Sequence, residues 1–257
     1  MSSVSAAPSP LLVFDFDGVL VDGMAEYWWS ARRAAMALDP ALALPVAAPG
    51  PFVRLRPLIH KGWEMVLLAL ELAQAGFAEP LTPAAYQLLL EAALARTGLT
   101  PEALQQGLEE VRRQAIAGDA AAWLALHRFF PGVPERLGRL AAEGSDWIVL
   151  TTKGGAFAER LLAAAGLKPA AVFGHEQGSK PQVLARLLRD APLRPLWFLE
   201  DRRPTLEQVR AMPGLAPVRC YLVSWGYLSP GDQRGLATRG IRWLEPECFA
   251  GPLAAWP

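Results

Sequence analysis

A chain of 257 residues is long enough to bury a large core, as one big domain or as two smaller ones. Its apolar share of 52% excludes a disordered chain. With 25 basic and 25 acidic residues the formal charge is zero, so no basic excess points to nucleic acid or to an anionic membrane, and weak colloidal repulsion allows a monomer or a homodimer.

Met1 to Pro10 is a Ser/Ala/Pro lead expected to fray, without the basic start of a signal peptide. No unbroken apolar run reaches about 18 residues, so no spanning helix is expected and the cytoplasm is the expected compartment. Leu11 to Phe14 is a short apolar run that ends in Asp15, Phe16, Asp17 and Gly18. Such a run fits a buried parallel strand, with its acids at the carboxyl end, where open α/β sheets place their ligands. Two acids at i and i+2 face the same side if the extended form continues, and their mutual repulsion calls for a shared proton or a divalent cation. Gly18 lets the backbone turn tightly or approach a ligand closely.

From Gly23 to about residue 130 the texture turns helical, over roughly Met24–Leu38, Lys61–Gln74, Ala84–Thr97, Pro101–Ile116 and Asp119–Phe129. Thr82-Pro83 and Thr100-Pro101 each read as an N-cap followed by proline at the first helical position. Leu42–Pro57 is Pro-rich and reads as a loop. Arg54, Arg56, His60 and Lys61 form a small basic cluster near its end, readable as a solvated helix start or as a substrate clamp. Trp28 and Trp29 read as packing residues. The sequence shows no partner for His127 or His175, and Cys220 and Cys248 read as small core residues.

Beyond Pro131-Gly132 strands and helices alternate: helix Pro134–Ala142, strand Trp147–Leu150, helix Ala156–Ala165, strand Val172-Phe173 and helix Lys180–Arg189. Strand Pro195–Leu199, helix Pro204–Met212, strand Arg219–Ser224 and a last short strand Ile241–Leu244 follow. That order implies a doubly wound parallel sheet with right-handed crossovers. Thr151 and Thr152 precede Gly154-Gly155 and a helix, which suits either an anion site or a plain N-cap pair. Lys180 opens a helix, where a cation opposes the macrodipole, so an anionic partner is expected. Glu200 and Asp201 end the strand that starts at Pro195.

Asp15-Phe16-Asp17-Gly18-Val19-Leu20 resembles, without a mismatch, the first motif of the haloacid dehalogenase-like phosphatases. Pro-Gly-Val at Pro131, then strand, Thr151-Thr152-Lys153, helix and Gly166-Leu167, is similar to their phosphoglycolate phosphatase-like branch. The resemblance implies that Asp15 is a nucleophile forming an aspartyl-phosphate and Asp17 the general acid/base, which favours phosphate esters over carbon–halogen cleavage. It implies that Thr151 binds the phosphoryl group, with Gly18, Thr152 and Lys153 beside the substrate, and that Lys180 neutralises nucleophile and phosphate. Mg2+ would be held by Asp15, Asp17 and Asp201. The family's further downstream acid is absent, with Thr205 near its place, and Glu200 would hold a metal-bound water instead.

The expected architecture is therefore a Rossmann-like α/β core, residues 1–22 and 131–257, carrying an inserted all-helical cap, residues 23–130. The expected function is a Mg-dependent phosphatase acting on a small phosphorylated metabolite, with Arg54, Arg56 and His60 as candidate substrate contacts in the cap. Two alternatives stand beside it: a sugar-phosphate mutase of the beta-phosphoglucomutase type, and a catalytically weak binding or regulatory protein.

Overall fold

Leu11–Phe14 (β1) opens a parallel sheet in the computed structural model, which describes residues 8–74 and 81–257. The lead expected to fray lies outside the described residues as far as residue 7. After β1 come Val21–Asp22 (β2) and the helices Met24–Leu38 (α1), Gly50–Leu55 (α2), Gly62–Gln74 (α3), Pro83–Thr97 (α4) and Pro101–Leu124 (α5). Arg128–Phe129 (β3) is followed by Val133–Leu140 (α6), Trp147–Leu150 (β4), Gly155–Ala164 (α7), Val172–Phe173 (β5) and Lys180–Asp190 (α8). The chain closes with Leu196–Glu200 (β6), Arg203–Ala211 (α9), Arg219–Val223 (β7), Ile241–Leu244 (β8) and Pro246–Ala250 (α10). Two compact units result, one from Met1–Asp22 with Phe129–Pro257 and one from Gly23–Arg128.

The sheet runs β5-β4-β1-β6-β7-β8, every pairing parallel, with Phe14 opposite Val149 on one side and Leu199 on the other. The chain builds outward from β1 to one edge through β4 and β5, then to the other through β6, β7 and β8. That reversal of strand order at β1 makes the carboxyl ends of β1 and its neighbours the natural place for a ligand.

Side chains alternate along each strand, and each face finds its own cover. Val13, Leu150, Phe198 and Leu222 join Val183 and Leu184 of α8 and Leu206 and Val209 of α9 in one apolar cluster. The opposite face is aromatic: Phe14 meets Phe249 of α10 edge-on at 6.2 Å, and Trp197 meets Trp256 at 5.8 Å. Buried Arg136 of α6 ties that C-terminal segment down by donating from Nε to the Phe249 carbonyl at 2.8 Å. The sequence patterns predict β8 as the last element, so α10 is a structural finding. Cys248 on α10 is exposed, against expectation, while Cys220 is buried, its thiol pushed up to about 12 by burial.

In the helical unit α1, α3 and α5 pack on one another and α4 packs on α3. Thr82 and Thr100 accept N–H bonds from Ala85 and Ala103, as N-caps do. Part of the expected loop Leu42–Pro57 is helical: α2 forms because Phe52 and Leu55 are buried, Phe52 lying 4.9 Å from the Trp28 ring. The helix expected over Asp119–Phe129 stops at Leu124, and Asp119 breaks α5 with φ −152° while its carboxylate caps the Ala122 N–H. Ion pairing also joins distant helices, since Arg112 grips Glu26 through two bonds of 2.7 and 2.8 Å with both side chains buried, and Ser30 donates to the same carboxylate. His127 has partners after all: it donates to the Trp123 carbonyl at 3.1 Å and lies 3.8 Å from Glu26. Among the described residues no helix is long and apolar enough to cross a membrane.

Removing one partner of a buried pair leaves an uncompensated charge, so Arg112→Ala should lower unfolding free energy by about 3–5 kcal/mol. The check is a urea titration, in which a midpoint equal to that of the parent chain would refute this account.

Candidate active site

Parallel pairing of β1 with β6 carries their acids to one end of the sheet. Asp15 follows β1 directly, and its N–H donates to the Leu199 carbonyl at 2.9 Å, which seats it beside Glu200, the last residue of β6. Lys180, the first residue of α8, lies between them, with Nζ 2.8 Å from Asp15 Oδ1 and 2.6 Å from Glu200 Oε2. Asp15, Lys180, Glu200 and Asp201 are all buried. One oxygen each from Asp15, Glu200 and Asp201 lies within 4.8 Å of the others. That set of hard oxygen donors, three acids against one ammonium, fits a divalent cation.

The environment acts differently on each group. Burial, reinforced by Glu200 and opposed by Lys180, pushes the Asp15 carboxyl up to about 7. Burial raises Glu200 as well, against the pull of Lys180. Burial disfavours the Lys180 ammonium, but Asp15 and Glu200 outweigh it and hold the amine above the ordinary lysine value.

Asp17, the second acid of the turn, has a partner of its own. Its carboxylate meets the buried amine of Lys153, at 3.3 and 3.4 Å from the two oxygens. The same lysine's backbone N–H donates to Thr151 Oγ1 at 3.0 Å, so a single residue spans the Asp-x-Asp turn and the threonine. Thr151 is buried at the end of β4, the strand beside β1, and Thr152 next to it is half-buried. One N–H at the start of α7, that of Gly155, is already taken by the Glu176 carboxylate at 2.9 Å. His175 is exposed and pairs with Glu176 at 3.4 Å.

Gly18 is required by its neighbours. It has φ +94°, and a Cβ there would fall 2.0 Å from Asp201 Oδ2, so the close approach it permits is to Asp201. Thr205, near the place of the family's further downstream acid, is buried in the first turn of α9. Glu207 pairs with Arg203 at 2.9 Å, as a helix-surface residue does. In the helical unit Arg54 and His60 are exposed, whereas Arg56 is buried with its guanidinium over the Tyr27 ring and bonded to the Ile59 carbonyl. The burial of Lys153 is the feature the sequence hid, since nothing in Thr-Thr-Lys distinguishes a surface amine from one turned inward onto Asp17.

Buried carboxylates gathered around a lysine at the switch point of a doubly wound parallel sheet define an α/β enzyme. The haloacid dehalogenase-like hydrolase model matches residues 10–201, and the chain belongs to that hydrolase family. No curated protein matches it. Among solved structures it is similar to a predicted phosphatase from Clostridium acetobutylicum, at 14% identity and TM-score 0.58, covering 93% of this chain and 94% of the other. It is also similar to a predicted phosphoglycolate phosphatase from Haemophilus somnus, at 18% identity and TM-score 0.58, covering 94% and 95%. A haloacid dehalogenase-like family protein from Streptococcus pneumoniae shares the fold at 16% identity and TM-score 0.55, covering 96% of each chain.

A carboxyl raised from 3.8 to about 7 keeps its proton in the folded state after the unfolded chain has released it. Asp15 therefore contributes stability at acid pH that is lost as pH rises through that window. Metal-free protein should melt progressively lower between about pH 4 and pH 7, and Asp15→Asn should flatten the decline. An equal slope in parent and variant would show that Asp15 is not the group responsible.

Proposed function

We propose that the chain is a cytoplasmic, magnesium-dependent phosphatase that hydrolyses a small phosphorylated metabolite through an aspartyl-phosphate. The observation that carries this reading is the Lys180 amine 2.8 Å from Asp15, because a carboxylate attacks a phosphoryl group only where negative charge is offset. Asp15, Glu200 and Asp201 are the residues that would hold the ion. Bound there, Mg2+ would offset charge on the nucleophile and on the transferring phosphoryl group.

The chain's own residues divide the remaining work. An Asp15 oxygen attacks phosphorus as the ester oxygen leaves, and Asp17 gives that oxygen its proton. Asp17, now ionised, takes a proton from water as the water attacks phosphorus, and phosphate departs with Asp15 restored. Lys180 orients Asp15 and balances its charge, while the Thr151 hydroxyl donates to a phosphoryl oxygen. Lys153 orients the Asp17 side chain, which in this scheme enters the first step protonated and serves as acid and then base, leaving the ion to Asp15, Glu200 and Asp201.

Gly23–Arg128 is, on this reading, the substrate-selecting cap. Within it the clamp narrows to Arg54 and His60, since Arg56 is committed to Tyr27 and Ile59.

The test is a phosphate-release screen over phosphorylated metabolites with magnesium present. Asp15→Asn should abolish both turnover and the hydroxylamine-labile phosphoprotein, and Asp17→Asn should slow turnover by about 10²–10⁴-fold. Turnover surviving in Asp15→Asn, or a parent chain silent across the panel, rejects the reading. An isomerised sugar phosphate in place of free phosphate transfers the assignment to a mutase.

A further inference from the structure

The three residues Trp225-Gly226-Tyr227 follow β7 and play no part in the chemistry above, yet they touch both Asp201 and the turn after β1. The Trp225 indole N–H donates to the Val19 carbonyl at 2.9 Å, and its ring packs on Phe249 at 5.1 Å. Gly226 lies so close that a Cβ would fall 2.2 Å from Asp201 Cβ and 2.6 Å from the Gly18 carbonyl oxygen. The Tyr227 backbone N–H donates to Asp201 Oδ2 at 2.9 Å, and its hydroxyl donates to Asp22 Oδ1 at 2.6 Å. Gly18 closes on the same carboxylate from the turn after β1. The Asp201 side chain is thus gripped between glycines of two remote segments and aimed by one backbone N–H.

We propose that Trp225-Gly226-Tyr227 is a positioning element for the metal site. It sets the direction of Asp201, and through Val19 and Asp22 it anchors the turn that leaves Asp15 and Asp17. The proposal rests on the reading that Asp201 ligates a divalent cation. Groups that orient a ligating carboxylate govern metal affinity as strongly as many ligands do, because an ion gains little from an oxygen that must first be fixed. In these contacts the side chains reach Asp22, the Val19 carbonyl and Phe249, and the Tyr227 ring lies against Gly18, while the backbone of Tyr227 reaches Asp201.

Three variants of the full chain test this by magnesium titration without substrate, followed by calorimetry and by the rise in melting temperature. Gly226→Ala must displace Asp201 or Gly18, and should weaken magnesium binding about 10–100-fold. Trp225→Phe with Tyr227→Phe keeps an aromatic ring at each position and leaves the backbone contacts in place while losing the bonds to Val19 and Asp22, and should weaken binding severalfold. Gly214→Ala, where an added Cβ meets nothing within 4 Å, should bind magnesium as the parent does. A merely structural loop would lower the metal-free melting temperature and leave the binding constant alone, so an unchanged constant in the first two variants overturns the proposal. If Gly226→Ala does not fold, the double variant decides by the same criterion. A parent chain that binds no magnesium removes the metal site itself and this proposal with it, whereas a parent that binds while the variants match it removes the proposal only.

Discussion

The lysine shared by two acids is the constraint on which the site depends. Burying Asp15 and Glu200 without an opposing charge would cost several kcal/mol for each ion. Lys180 offsets part of this from the first turn of α8, where its charge opposes the helix dipole by a few tenths of a kcal/mol. It gains far more from two carboxylates at 2.8 and 2.6 Å than it loses there. Burial keeps Asp15 and Glu200 raised, neighbouring carboxylates add to it, and one ammonium does not cancel the effect. The arrangement is poor as a stabilising device and well suited to receiving positive charge from outside.

The fold supplies this arrangement through register. Phe14 pairs with Leu199, so the next residues on two parallel strands, Asp15 and Glu200, arrive side by side without any loop to adjust. Both strands are covered on both faces, so their ends have little freedom. The aromatic face under Phe14, closed by Phe249 and Trp256 and secured by Arg136, belongs to the same logic. A strand end positions a carboxylate well only when the layers beneath it are packed.

Sequence reading was strongest where local pattern and chemistry agree. The apolar run into Asp-x-Asp-Gly, the Thr-Pro caps, Lys180 at a helix start and the Glu-Asp strand end all carry their structural meaning within a few residues. It failed where meaning is tertiary. Nothing near Gly50-Pro51 announces a helix, and α2 exists because Phe52 meets Trp28. Arg112 and Glu26 are 86 positions apart, His127 joins them from a third place, and α10 is held by an arginine 113 residues earlier. The residues around Lys153 suit a surface amine as well as the place beside the substrate that the resemblance implies, and only the course of β4 beside β1 puts Asp17 within its reach.

The absence of the family's further downstream acid has a physical consequence of its own. Glu200 is one methylene longer than aspartate, and both its oxygens are engaged, Oε2 by Lys180 and Oε1 by the Arg202 N–H. Each carboxylate oxygen has room for a second partner, so these bonds orient Glu200 without exhausting it as a ligand. A further acid in the first turn of α9 would add a fourth negative charge to a buried group that already has three. Thr205, buried in that turn, brings no charge. The chain carries the charge at the strand end, next to the lysine that balances it, and leaves the helix start neutral.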